Sequence, residues 1–217
     1  MDNQQYPKRK SIRLKEYDYS TPGYYFITIC TKDKKCLFGE ITDQGMKLND
    51  AGRMVEKWFK EISKKYDRVI CDEYVVMPNH FHGIIQIVGA DLCVRPGFGN
   101  AHDLDLHLDL NNIGNKNKKQ GRHTGLPLQD QNVNLSIHEI LQWFKTMTTN
   151  QYIRGVKQSN WHSFNGKLWQ RNYYEHVIRN DIDLDETREY ITNNPKKWHL
   201  DKYNPITHGI QRTLNNV

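Results

Sequence analysis

The segment RVICDEYVVMPNHFHGIIQIV, residues 68–88, decides the fold. Arg68 to Met77 and His80 to Val88 are rich in β-branched, aromatic and aliphatic residues, which favour strands. Between them Met77-Pro78-Asn79 supplies turn chemistry, so the segment is predicted to be a β-hairpin. Side chains alternate faces along a strand. His80 and His82 must therefore point the same way, with Cα atoms roughly 6.5 Å apart, while Phe81 enters the opposite layer as core.

Upstream, Gly23-Tyr-Tyr-Phe-Ile-Thr-Ile-Cys-Thr31 follows Pro22 and reads as another strand, with a second, short one over Leu37 to Ile41. Asn49 or Asp50 caps a helix to about Lys65, whose apolar stripe is Met54, Val55, Trp58, Phe59 and Ile62. Downstream, composition shifts to Gly, Asn, Asp, Lys and Gln over residues 89–134, including the low-complexity tract Asp103 to Leu110. So long a tract inside one domain is expected to be a flexible insertion.

Order returns at Ser136, which with Glu139 forms a capping-box pattern for a helix through about Arg154. Its buried stripe is Ile137, Ile140, Leu141, Phe144 and Met147. Leu168 to Tyr174 reads as a strand or extended segment. The last helix runs from Asp183 or Asp185 to Asn194, where Pro195 ends it. Strands and helices interleave, with hairpins as well as crossovers. The expected fold class is thus α+β on a mostly antiparallel sheet, one domain over residues 1–217 with a basic arm at 1–16.

The chain has 217 residues, a net charge of +6 and a mean hydropathy of −0.83. No apolar run approaches the roughly 18 residues of a membrane span. No apolar stretch follows the basic N-terminus as a secretory signal would require, so a cytoplasmic protein is expected. Cys30, Cys36, Cys71 and Cys93 lack paired spacing and read as reduced, packing cysteines rather than a zinc ribbon or disulfide framework. The positive excess, with Arg9, Lys10, Arg13 and Lys15 in the arm, suits a polyanionic partner. The same arm also reads as a solvated tail.

Two imidazoles at strand spacing can share one metal ion, although a bare His-x-His is more often two unrelated histidines on a solvent face. Tyr190 and Asn194 lie one turn apart on one helical face. Together they offer a phenol and an amide oxygen, or a tyrosine that simply packs on the sheet. A ligand set of two imidazoles and a hard oxygen, with no thiolate, suits Mg2+ or Mn2+ better than structural zinc. Tyr173 and Tyr174 are rival nucleophiles. Beside Trp169 and Arg171 they also resemble base-stacking and phosphate-contact residues, or a packed strand.

Met77-Pro-Asn-His-Phe-His-Gly83 resembles the HUH motif of single-tyrosine transposases. Trp169-Gln-Arg-Asn-Tyr-Tyr-Glu-His-Val-Ile-Arg179, Arg188-Glu-Tyr-Ile-Thr-Asn-Asn-Pro195, Arg9-Lys-Ser-Ile-Arg-Leu-Lys15 and Asp18-Tyr-Ser resemble the REP-associated tyrosine transposases of that group. The resemblance spans the chain except the insertion. It implies a ferredoxin- or RRM-like antiparallel sheet backed by helices, the HUH nuclease fold. His80, His82 and Asn194 match the family's metal ligands, and Tyr190 its nucleophile. The implied activity is metal-dependent nicking and joining of single-stranded DNA beside a hairpin (a REP-like palindrome), through a 5′-phosphotyrosine. A monomer or homodimer is compatible with it. The alternative is a non-catalytic binder of hairpin DNA or structured RNA.

Overall fold

The computed structural model describes residues 17–89, 135–205 and 207. The basic arm with Arg9, Lys10, Arg13 and Lys15 lies outside them, as does the expected insertion apart from Gly89. The hairpin forms as predicted, from β4 (Val69–Val76) and β5 (His80–Ile87). In chain order the elements are β1 (Gly23–Cys30), β2 (Gly39–Thr42), β3 (Gly45–Leu48), α1 (Asp50–Lys65), β4, β5, α2 (Ile137–Gln158), β6 (Tyr174–Ile178) and α3 (Asp181–Asn193). β2 and β3 make a separate hairpin, of which the sequence reading caught only the first strand.

The main sheet has the order β4-β5-β1-β6, antiparallel throughout. Leaving the small hairpin aside, the connectivity β1-α1-β4-β5-α2-β6 is the βαββαβ pattern of ferredoxin- and RRM-like folds. The α+β expectation is met: a four-stranded antiparallel sheet backed by helices. On one face Tyr25, Ile27, Ile29, Phe81 and Ile85 pack with Phe59 of α1 and Phe144 of α2. On the other, Phe26, Ile84 and Ile178 meet Leu184 and Ile191 of α3. Alternation thus sends Phe81 into the larger core and leaves His80 and His82 on the α3 face.

Local chemistry sets the helix ends. The Asn49 side chain accepts from the Gly52 amide at 2.9 Å, capping α1. Trp58 lies at the edge of the α1 stripe and is only partly buried, its indole N–H reaching Gln151 Oε1. Ser136 and Glu139 form the full capping box of α2, which continues past Arg154 to Gln158. α3 begins at Asp181 rather than Asp183 or Asp185, because Asn180 accepts from the Asp183 amide.

Two further boundaries differ from expectation. Leu168–Gln170 is held to the end of β1 by a lone bridge between Thr31 and Trp169, and the ladder strand starts only at Tyr174. Pro195 does not stop the chain turning. Asn194 keeps helical dihedrals (φ −57, ψ −45), and residues Pro195–Leu200 form a 3-10 helix. Proline at a first helical position lacks only a donor that would have no partner there, so it can open a new, tighter turn. No described helix is long and apolar enough to cross a membrane.

Candidate functional site

Register builds the site across three strands. On β1, Thr28 faces His82 of β5 on one side and Tyr174 of β6 on the other, and Cys30 faces His80. Directly opposed residues of an antiparallel pair share a face. One surface therefore presents His80, His82, Thr28, Tyr174 and His176, and α3 lies over it.

Both histidines are buried, and their second ring nitrogens are tied. Asn79 donates its two amide hydrogens to the carbonyls of Lys34 and Tyr203, at 2.9 and 2.8 Å. Its Oδ1 therefore faces His80 Nδ1, at 2.9 Å, as an acceptor. His80 must then carry its proton on Nδ1 and leave Nε2 as a bare lone pair. His82 Nδ1 is 2.8 Å from Thr28 Oγ1, an arrangement that holds the ring in the matching orientation. The two Nε2 atoms converge to 3.0 Å. Burial pushes both pKa values down, that of His82 to about 3, and the charges of Lys202 and, for His80, Lys34 add to the effect. Near neutral pH the pair is two uncharged imidazoles, the ligating form.

Asp201 completes the cluster. Its Oδ2 lies 3.6 Å from His80 Nε2, and the ligand atoms of His80, His82 and Asp201 all fall within 4.8 Å of one another. Because His80 is held neutral, this contact is no ion pair; it gathers electron-rich ligand atoms at one point. The three residues could hold a metal ion. Asn194 is only 3 % exposed and its Oδ1 is buried without a hydrogen-bond partner. A buried, unsatisfied amide oxygen normally costs about 1–3 kcal/mol, which a cation would offset. The donor set and this orphaned oxygen both fit a divalent ion.

Tyr190 sits at the rim, 44 % exposed. Its ring stands edge-on to His82 at 5.4 Å between centroids and edge-on to Phe26 at 5.9 Å. Burial and the Asp201 carboxylate raise its pKa, while a hydrogen bond from Asn194 works the other way. Tyr190 and Asn194 thus meet as their helical spacing requires. Beside them opens a cleft of about 370 Å³ lined by His82, Tyr174, His176, Tyr190 and Lys202 among others. Within it His176 Nε2 contacts both Asp183 oxygens, at 3.1 and 3.0 Å.

The remaining candidates separate. Tyr174 stands in this cleft, with Lys202 Nζ 5.9 Å from its ring centroid. Tyr173, one residue earlier, turns to the opposite face against the larger core. Trp169 is buried there too, its indole N–H bonded to Thr148, whereas Arg171 is exposed. Cys30 is buried and Cys71 partly so, whereas Cys36 is exposed; Cys93 lies outside the described residues.

Sequence reasoning missed Asp201, whose stretch His-Leu-Asp-Lys carries no spacing signal. It also took Asn79 for a turn residue only. The pairing of Asn79 with the following histidine was the available clue, since ligating histidines commonly donate their other nitrogen to a fixed acceptor.

No family model matches the chain. It is 37 % identical over 197 residues to a Haemophilus influenzae protein named as uncharacterized, covering 89 % of this chain and 92 % of that one. Among solved structures it is similar to a REP-associated tyrosine transposase bound to a REP hairpin, with a TM-score of 0.46, 17 % identity and coverage of 85 % of this chain and 74 % of the other. A candidate transposase of Deinococcus radiodurans is also similar, with a TM-score of 0.37, 12 % identity and coverage of 83 % and 95 %.

Proposed function

This chain belongs to the same family as the Haemophilus influenzae protein, and we propose for it a metal-dependent nicking and joining of single-stranded DNA beside hairpins, as in single-tyrosine HUH transposases. One observation carries the reading. A rim phenol, Tyr190, stands edge-on to one of two buried neutral imidazoles whose Nε2 atoms converge. A phenol, a metal-ligating pair and an open cleft at one place suit phosphodiester chemistry better than a purely structural role.

His80, His82 and Asp201, with Asn194 as a further oxygen ligand, would hold Mg2+ or Mn2+. When bound, such an ion polarises a phosphate oxygen and neutralises charge developing in the transition state. The chain's own residues do the rest. Asn79 and Thr28 fix the imidazole orientations. Phe26 and His82 flank the Tyr190 ring, which lines the cleft. The Asn194 amide stabilises the phenolate, partly opposing the burial that disfavours it.

The Tyr190 hydroxyl gives up its proton to solvent, and its oxygen attacks the scissile phosphorus. The P–O bond to the 3′-oxygen breaks, and that oxygen leaves and takes up a proton. A 5′-phosphotyrosine remains. Reversal by a 3′-hydroxyl reseals the strand without ATP, because the phosphodiester's energy is retained in the tyrosine ester.

The test is a covalent-adduct assay with end-labelled single-stranded DNA carrying a hairpin, in Mg2+ or Mn2+. The adduct should form with the native chain, vanish with chelator and be absent in Tyr190→Phe. An adduct persisting in Tyr190→Phe would move the nucleophile elsewhere, Tyr174 being next in reach of the cleft. Tight binding without any adduct would leave a non-catalytic binder.

A further inference from the structure

A second, larger cleft opens on the opposite side of the sheet. It measures about 510 Å³, within the usual range for ligand pockets, and lies between α2 and residues 166–173. His138, Gln142, Lys145 and Thr149 recur along α2 at helical spacing and line one wall. They occupy the flank next to the one that buries Ile137, Ile140, Leu141 and Phe144. The other wall turns at Gly166, whose φ of +72 suits glycine, and this turn brings Lys167 to the rim.

The lining includes Lys145, Lys167 and Arg171 and not one carboxylate. Lys145 donates to the carbonyls of Gln170 and Arg171, at 2.6 and 3.1 Å, which leaves one of its three ammonium donors. Burial, with Lys167 nearby, pulls its pKa to about 8, a strain that a bound anion would relieve.

The link to the tyrosine site is the edge strand. Tyr173 lines this cleft and Tyr174 the other, because adjacent residues point to opposite faces. β6 is the last strand of its sheet, and among the described residues no strand pairs with its outer edge. A single strand of DNA crossing that edge would meet both clefts.

We propose that this basic cleft binds phosphates of the single-stranded DNA flank after it passes over β6, as a second contact distinct from the hairpin. The inference rests on the DNA reading above but not on the tyrosine chemistry. A nucleic-acid strand suits the site because the cations are spread along a groove with an aromatic ring at its mouth, the arrangement that tracks a phosphate backbone.

Fluorescence anisotropy with the full-length chain tests it, using a labelled DNA hairpin with and without an unpaired flank of about eight nucleotides, a length within the span such grooves cover. The surface variant Lys167→Gln/Arg171→Gln should bind the flanked DNA roughly tenfold more weakly. Its slope of log affinity against log salt should fall by about 1.4, as expected for two lost single-strand phosphate contacts. Affinity for the bare hairpin should stay within about twofold, since no rim contact to it is lost. Unchanged affinity and slope for the flanked DNA, or equal losses on both DNAs, would overturn the proposal. Absence of any adduct in the native chain would instead sink the chemistry and leave this binding result standing.

Discussion

Asn79 Oδ1 stands 2.9 Å from His80 Nδ1, and both hydrogens of the same amide are taken by backbone carbonyls. The amide cannot flip without losing two bonds, so it dictates which nitrogen of His80 is protonated. Asn79→Ala should therefore weaken Mn2+ binding by about 10–100-fold, the usual effect of removing such a support, while His80 itself remains. Isothermal titration calorimetry reads this directly. Affinity within twofold of the native protein would show that the imidazole needs no support.

A ligand that binds only the folded chain raises its stability by mass action. Mn2+ at a hundred times its dissociation constant should add about 2.7 kcal/mol. The gain should vanish in His80→Ala and shrink in Asp201→Ala, which removes the carboxylate 3.6 Å from His80 Nε2. Asn194→Ala separates the oxygen ligands further, since its orphaned Oδ1 should supply part of the gain. Thermal melts with and without Mn2+ are sufficient. Equal gains in all three variants would dismiss the cluster as a metal site.

Strand and helix periodicities are local rules, and they made half of this site readable. Alternation put His80 and His82 together, and four-residue spacing put Tyr190 beside Asn194. Asp201 was illegible because Pro195 reads as a stop. The 3-10 turn that carries the chain back to the histidines depends on tertiary packing, including Trp198 and Tyr203 against the His80 ring. β6 was misplaced for a similar reason. Trp169 makes only an isolated bridge at the end of β1, whereas Tyr-Glu-His-Val-Ile forms the ladder with it, and which segment pairs is a non-local choice. The β2–β3 hairpin escaped because its second strand, Gly45–Leu48, is too short to show alternation.

Gly52 marks where α1 presses on the chain before it. A Cβ there would collide with the Phe38 carbonyl oxygen and crowd Leu48. Backbone atoms cannot rotate aside as a side chain can. Gly52→Ala should therefore cost about 1–3 kcal/mol, although alanine is the better helix former. Urea unfolding would check this, and a stabilised variant would mean that the helix start yields easily.

The helix bearing Tyr190 is anchored two residues earlier. Arg188 meets Asp72 of β4 in a two-pronged contact, Nε to Oδ1 at 3.0 Å and Nη2 to Oδ2 at 2.6 Å. The guanidinium holds the Asp72 carboxyl below its ordinary value of 3.8. A depressed carboxylate pKa contributes stability that is complete above the unfolded-state value and lost as pH falls through the folded-state one. With the Arg188 side chain 40 % exposed, solvent screening limits the pair to about 1 kcal/mol. Asp72→Asn should therefore be less stable than the native chain by about that amount at pH 7, since the ionised pair is then intact. The difference should hold down to about pH 4 and shrink progressively below it, where the native carboxyl also becomes neutral. Unfolding curves of both proteins between pH 7 and pH 2.5 measure the gap. A gap that stays constant across that range, or widens in acid, would show that the carboxylate's charge does not anchor α3.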